Sequence, residues 1–221
     1  MIDVPATDVA AIDVDESDAA AIDVAAEAHR GPGRPRSTEL DRSIRRAAID
    51  LLAEEGYGGL TMEGVAARAA CGKATIYRRW PSKSALVIEA INVCCTESAP
   101  IPDTGSARGD LLAFISSMVT VMRESDAGRV MPALVAELPR SPELAETFRL
   151  HFVQPRRALL IDRLQRGVDR GELRPEADLE LVADASVALL QHRLLVTGMT
   201  IDVGLPGRIV DLLWRGVASG S

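Results

Sequence analysis

The chain is poor in aromatic residues, with two Trp, two Tyr and three Phe among 221 residues. Leu, Val, Ile and Ala must therefore fill the core. That disfavours a β-sandwich, which leans on aromatic and β-branched side chains, and points to packed helices. Lysine is scarcer still: Lys73 and Lys83 are the only two, and every other basic residue is arginine. The three cysteines, Cys71 and the adjacent Cys94 and Cys95, give no disulfide framework. Cys-x-x-Cys is missing, and His29, His151 and His192 lie far apart, so no zinc spacing exists. No apolar run reaches the ~18 residues of a membrane span. The first residues are acidic and lack the apolar stretch of a signal peptide. Glycine-rich phosphate loops, His-Glu-x-x-His and Gly-x-Ser-x-Gly are also missing. The expectation is a cytoplasmic protein with no metal, no cofactor and no membrane partner.

What is present is charge, unevenly placed. The net charge is −7, and residues 1–30 account for all of it with eight acids and one Arg. Residues 31–92 hold ten basic and seven acidic side chains, a net of +3. A local basic face matters for nucleic acid, and the total does not. Within 1–30, Ile2-Asp3-Val4 recurs as Ile12-Asp13-Val14 and Ile22-Asp23-Val24. The segment is Ala- and Asp-rich and reads as a disordered acidic tail, either a plain solubilising tail or a mimic of DNA. Residues 31–37 form a basic arm in which Pro32 and Pro35 disfavour helix. Arg34 and Arg36 project from it, either into a minor groove or as part of a linker.

Helical periodicity dominates the rest. A helix is expected from about Thr38 to Glu55, ended by Gly56. A short one follows at Met62–Ala69 with Thr61 as its cap, then the turn Ala70-Cys71-Gly72. Lys73 opens a very short helix stopped by Pro81, and Ser82 caps the next. A loop rich in Pro, Gly, Ser and Asp occupies residues 100–109. Beyond it lie helices near Leu111–Met122, Met131–Leu138, Pro142–Arg170, Asp178–Thr197 and Pro206–Ala218. The predicted class is all-α. A helix-turn-helix DNA-binding domain is expected at 38–92 and a second helical domain at 93–221.

The short helix carries the chemistry. Base edges and phosphates are met by donors near the N-terminus of an inserted helix. Lys73 stands there, beside the positive end of the helix dipole. Thr75, Tyr77 and Arg79 can donate to phosphates or bases. Ile76 and Trp80 face the other way, into the core. Lys83 can clamp a flanking phosphate. Arg78, next to Arg79, can be simply solvated.

Leu60-Thr61-Met62-Glu63-Gly64-Val65-Ala66, followed by Cys71 through Leu86 with Tyr77, Trp80-Pro81-Ser82-Lys83, resembles the signature of the tetracycline-repressor (TetR) family. The likeness runs without a gap from about Ser37 to Ile91. It implies a dimeric, ligand-responsive transcription regulator. Its partners would be a double-stranded operator and a small-molecule effector. It also implies DNA contacts from Thr61, Lys73, Thr75, Tyr77, Arg79 and Lys83. The family's turn often reads Gly-Val-Ser or a near relative, whereas here it is Ala70-Cys71-Gly72.

In the second half, a cavity is expected near residues 90–195. Phe114, Met118, Met122, Phe152 and Leu189 are its apolar candidates, and His151, Gln154 and Gln191 its polar ones. Two apolar stripes suit a dimer interface: Leu181, Ala185, Ala188, Leu189 and Leu195, then Leu213, Trp214 and Val217. A DNA-acting enzyme carrying a helix-turn-helix is the alternative. It would need clustered catalytic carboxylates or a Ser or Tyr nucleophile near arginines, and the acids beyond residue 110 show no recurrent ligand pattern.

Overall fold

The structure, a computed structural model, describes residues 36–218. The acidic tail and Arg34 lie outside the described residues, as does the side chain of Arg36. From Leu40 onward the chain forms one compact unit. The described residues are mainly helical with no strand, joined by turns and loops.

Helix α1 spans Arg36–Gly59 and is broken at Gly56, whose φ of 70 and ψ of 176 lie outside helical space. Only glycine adopts that φ without strain, which is why the periodic run stops there. Helix α2, Met62–Arg68, begins where the Thr61 hydroxyl accepts the Gly64 amide at 3.0 Å. Helix α3, Lys73–Tyr77, starts at Gly72 with no side-chain cap. Helix α4, Lys83–Ser98, is capped by Ser82, whose hydroxyl accepts the Ala85 amide at 3.2 Å. Such caps satisfy amides that have no partner within the helix. The sequence boundary at 92/93 falls inside α4.

Helices α5 (Ala107–Glu124) and α6 (Asp126–Glu137) meet at Ser125, which caps α6. Helix α6 starts five residues before the expected Met131, because Ser125 and Asp126 supply a cap and a favourable first-turn charge. The run expected at 142–170 is continuous but not uniform. It contains α7 (Pro142–Phe148), a π-helical segment Arg149–Val153, and α8 (Gln154–Asp169). Helix α9 is Leu179–His192, followed by a second π segment, Arg193–Thr197, that ends at left-handed Gly198. Helix α10 is Leu205–Val217.

Burial is organised around two apolar clusters. The first joins Ile44, Leu52, Val65, Ile76, Trp80 and Ile91 to Leu134, Leu144 and Phe148, so α1–α4 share a core with α6 and α7. The second holds Leu111, Phe114, Ile115, Leu160, Leu164, Val182, Leu190, Ile209 and Val217. The loop expected at 100–109 ends at Ser106, the cap of α5, and it is tied down rather than loose. The buried Arg163 donates to the carbonyls of Pro102 at 2.7 Å and Ile101 at 3.1 Å. Buried Asp110 accepts from the Thr104 amide at 2.7 Å and hydroxyl at 2.8 Å.

The turn between α2 and α3 contains Ala70 at φ 51, the one non-glycine residue at positive φ among the described residues. A Cβ disfavours that region by about 1 kcal/mol or more. Ala70→Gly is therefore expected to leave stability unchanged or raise it by up to about 1 kcal/mol, because the gain is partly offset by glycine's freer unfolded state. Ala70→Val should destabilise, because a β-branched side chain tolerates this conformation worse. Chemical denaturation of the two variants would check the order.

Candidate nucleic-acid interface and cavity

Helix α3 has two faces. Ile76 is fully buried, and Trp80, just after the helix, is 3% exposed. The indole N–H of Trp80 donates to Glu89 of α4 at 2.8 Å. These two side chains fix how α3 is seated. The opposite face is open: Tyr77 is 49% exposed, and Lys73 and Arg78 are exposed as well. Thr75 is half-buried at the edge.

Each predicted contact residue has a definite place. Lys73 pairs with Glu63 of α2, and both side chains are largely exposed. The Lys73 bond holds the Glu63 carboxyl below its usual range. A surface pair of this kind contributes little and exchanges readily for another anion. Thr61 is exposed, and its hydroxyl oxygen accepts the Gly64 amide, which leaves the hydroxyl proton available outward. Arg79 is turned back to form an ion pair with Asp41 of α1, at 24% and 22% side-chain exposure. It braces α3 against α1. Arg78 is exposed and has no ion-pair partner among the described residues.

Lys83 is also engaged. Its ammonium donates to the Tyr57 carbonyl at 2.8 Å and sits 4.1 Å from the centre of the Tyr57 ring. It thereby closes the C-terminal end of α1, where carbonyls lack helical partners and a cation is favoured. Tyr57 is itself buried, with its hydroxyl 2.7 Å from that of buried Ser84. Burial raises the phenol's pKa, and the bond to Ser84 offsets this in part.

A cavity of about 770 Å³ lies between α4, α5, α6, the Arg149–Val153 segment, α8 and α9. Its walls are chiefly apolar. Phe114, Met118, Met122, His151, Phe152 and Gln191 line it, as the sequence suggested. Gln154 and Leu189 do not line it. Gln154 is exposed beside Pro155, and Leu189 points outward while its neighbour Leu190 is fully buried. Ala188 and Leu195 do line it although they are exposed, so they mark its mouth on the outer side of α9.

Asn92 and Arg156 are among the polar residues of the wall that were not foreseen. Pro155 has no N–H, so the carbonyl four residues earlier, His151, loses its helical donor. The Asn92 amide of α4 supplies one at 2.8 Å. The Asn92 oxygen in turn accepts from Arg156 at 2.6 Å, and the Phe152 carbonyl accepts from the same nitrogen at 3.3 Å. Arg156 also stacks on the Phe152 ring, 3.9 Å from its centre, and that ring stacks on Phe148. A proline inside a long helical pattern is the signal that a carbonyl nearby needs an outside partner. It does not say which residue provides one.

The apolar stripes divide as well. Leu181, Leu189 and Leu195 are exposed at 64%, 36% and 42%. Ala185, Leu213 and Trp214 are half-buried, the last two against the second core. Val217 belongs to that core, at 9% exposure, so it is covered within the chain itself. Leu212, at 63%, takes its place as the most exposed apolar residue of α10. Among the described residues no helix is long and apolar enough to cross a membrane, and no group of metal-ligating side chains comes together.

Similarity to known proteins spans both halves. A profile for bacterial regulatory proteins of the tetR family matches residues 44–90, and one for the tetracyclin repressor-like C-terminal domain matches residues 101–213. The HTH-type transcriptional regulator YdeS of Bacillus subtilis is 33% identical over 189 residues, 86% of this chain and 95% of its own. The DNA-binding transcriptional repressor TetR of Mycobacteroides abscessus is 33% identical over 172 residues, 76% of this chain and 88% of its own. Among solved structures, the TetR family transcription regulator SCO0332 superposes with a TM-score of 0.67 at 32% identity, covering 81% of this chain and 99% of that one.

Proposed function

Because this chain belongs to the TetR family of bacterial transcriptional regulators, we propose that its dimer binds a palindromic operator through α3 and is released by a small molecule in the cavity. The observation that carries this reading is α3 itself. It is a five-residue helix anchored from behind by Ile76 and Trp80, with Lys73, Tyr77 and Arg78 left facing outward. Lys73 reaches base edges, exchanging Glu63 for DNA. Thr61, Thr75, Tyr77 and Arg78 hold phosphates, and the two free donors of Lys83 do the same at the flank. Arg34 in the basic arm and Arg36, which stands in the first turn of α1 rather than in the arm, add contacts in the minor groove. Arg79 acts through its brace on α1. The enzyme alternative gains no support from the relatives named, which are regulators. The protein acts where its DNA is, in the cytoplasm.

Release travels through α4. Asn92 on that helix binds the cavity wall at His151 and Arg156, while Lys83 and Ser84 at its other end bond to Tyr57 at the end of α1. A ligand that shifts the wall shifts α4. The ligand must then bind the DNA-free form more tightly, and DNA must weaken the ligand by the same factor.

Footprinting of the gene's own promoter with purified protein tests the reading. Protection of a two-fold symmetric site with half-sites about 34–36 Å apart, or somewhat more on stretched DNA, is expected. Protection of no discrete site would overturn it. Two variants then separate the arginines. Arg78→Ala should lower the salt slope of log K by about one and leave the fold intact. Arg79→Ala should lower the melting temperature through loss of the Asp41 pair and reduce the slope less.

A further inference from the structure

The cavity holds one charge that nothing in its wall cancels. Arg157 is matched, donating to Asp184 at 2.8 Å and Glu180 at 3.2 Å. Arg156 is not. Its partners are the Asn92 amide oxygen, the Phe152 carbonyl, the Phe152 ring and the Cys95 thiol, none of them a carboxylate. No carboxylate pairs with it among the described residues. Burial lowers its pKa from the ordinary value, yet a guanidinium stays protonated in a protein. Cys95 beside it does not help, because burial pushes that thiol up to about 11, outweighing the pull of Arg156, so it is neutral near pH 7. Around this cation the wall is apolar, with Phe114, Met118, Met131, Val135 and Phe148. A half-buried charge without a counter-ion is unfavourable, and an anionic ligand group relieves it.

We infer that the effector of this regulator is an amphiphilic organic anion. Its carboxylate or sulfonate meets Arg156, and its aliphatic or aromatic body fills the space toward Phe114 and Met118. The volume of about 770 Å³ suits a molecule of drug size or a medium acyl chain. A neutral molecule of the same shape gains the apolar burial and leaves the cation uncompensated. A cationic one is repelled. The inference rests on the reading of the cavity as the effector site, but its test does not involve DNA.

Two fluorescent probes share one apolar body and differ in charge. 8-Anilinonaphthalene-1-sulfonate is an anion, and N-phenyl-1-naphthylamine lacks the sulfonate. Titrated into the full chain, the sulfonate should bind about ten- to a hundredfold more tightly, as expected for a charge-assisted contact. Arg156→Gln should bring the sulfonate down to the level of the amine and leave the amine unchanged, which also shows that the cavity persists. Arg156→Lys should keep part of the preference. Met118→Trp, which fills the cavity, should weaken both probes. Equal affinity of the two probes for the unaltered protein would overturn the inference. So would a preference that survives Arg156→Gln, or no sulfonate binding at all. If the charge preference fails while the footprint stands, only the effector class is wrong. If the footprint fails while the preference stands, the regulatory reading is wrong and the anion site remains.

Discussion

Gly128→Ala is expected to destabilise the protein by about 3 kcal/mol, at the upper end for overpacking, and to lower its melting temperature by roughly 6–12 °C. A Cβ at Gly128 would stand 2.3 Å from the Val121 carbonyl oxygen and 2.6 Å from that of Met122. Both are backbone atoms of α5, so no side-chain rotation gives relief. The neighbourhood is already fixed: the Ser125 hydroxyl donates to the Val121 carbonyl at 2.7 Å and accepts the Gly128 amide at 3.2 Å. The added methyl must push α6 away from α5. Gly128 also lines the cavity, so the variant should bind ligands poorly. Gly207→Ala is the control. A Cβ there meets nothing within 4 Å, and replacing glycine within a helix is neutral or mildly stabilising. Thermal unfolding followed by circular dichroism would decide. A Gly128→Ala protein melting within a degree of the unaltered one would show that α5 and α6 are not this close.

The second large effect concerns assembly. Changing Leu181 and Leu212 together to arginine should give a folded monomer and reduce operator affinity by about a thousandfold or more, toward the nonspecific level. These side chains are 64% and 63% exposed on α9 and α10, and Val196 and Val203, in the stretch between those helices, are 71% and 79% exposed. Uncovered apolar side chains on the last two helices are what a partner molecule would cover if they form one patch. A second copy of the chain on this face would bury them and hold two reading heads on one scaffold. Both positions are exposed, so the charges enter no core and helicity should persist. Light scattering reads the mass, and a gel-shift titration on the footprinted site reads the affinity. A monomer that binds the whole palindrome as well as before would exclude this face as the interface.

The reading head was legible because its signals are local. Gly56 and Pro81 stop helices, Thr61 and Ser82 start them, and Ile76 and Trp80 fall on the buried side by helical spacing alone. The cavity-lining residues on α5 were legible for the same reason. What the sequence hid depends on partners far along the chain. Arg79 finds Asp41, and Lys83 finds the Tyr57 carbonyl, and no periodicity announces either. Leu189 and Leu190 differ by about 100° around one helix, and that decides between solvent and core. Val217 sits on an apolar stripe, but a stripe does not say whether the same chain or another covers it. Asn92 and Arg156 were missed because each looks like an ordinary polar residue until Pro155 removes a donor beside them.

The π segment at Arg149–Val153 also sets helical phase. From Pro142 to Asp169 the chain runs as one rod, yet Leu144 and Phe148 serve the first core while Leu160 and Leu164 serve the second. Each turn of a π-helix carries an extra residue, which offsets the two halves by roughly 100° relative to an uninterrupted α-helix. That offset lets a single rod present the correct side to two different cores. Deleting one residue between 149 and 153 would restore ordinary winding and turn one half away from its neighbours. The length of this segment is thus a constraint independent of which side chains it carries.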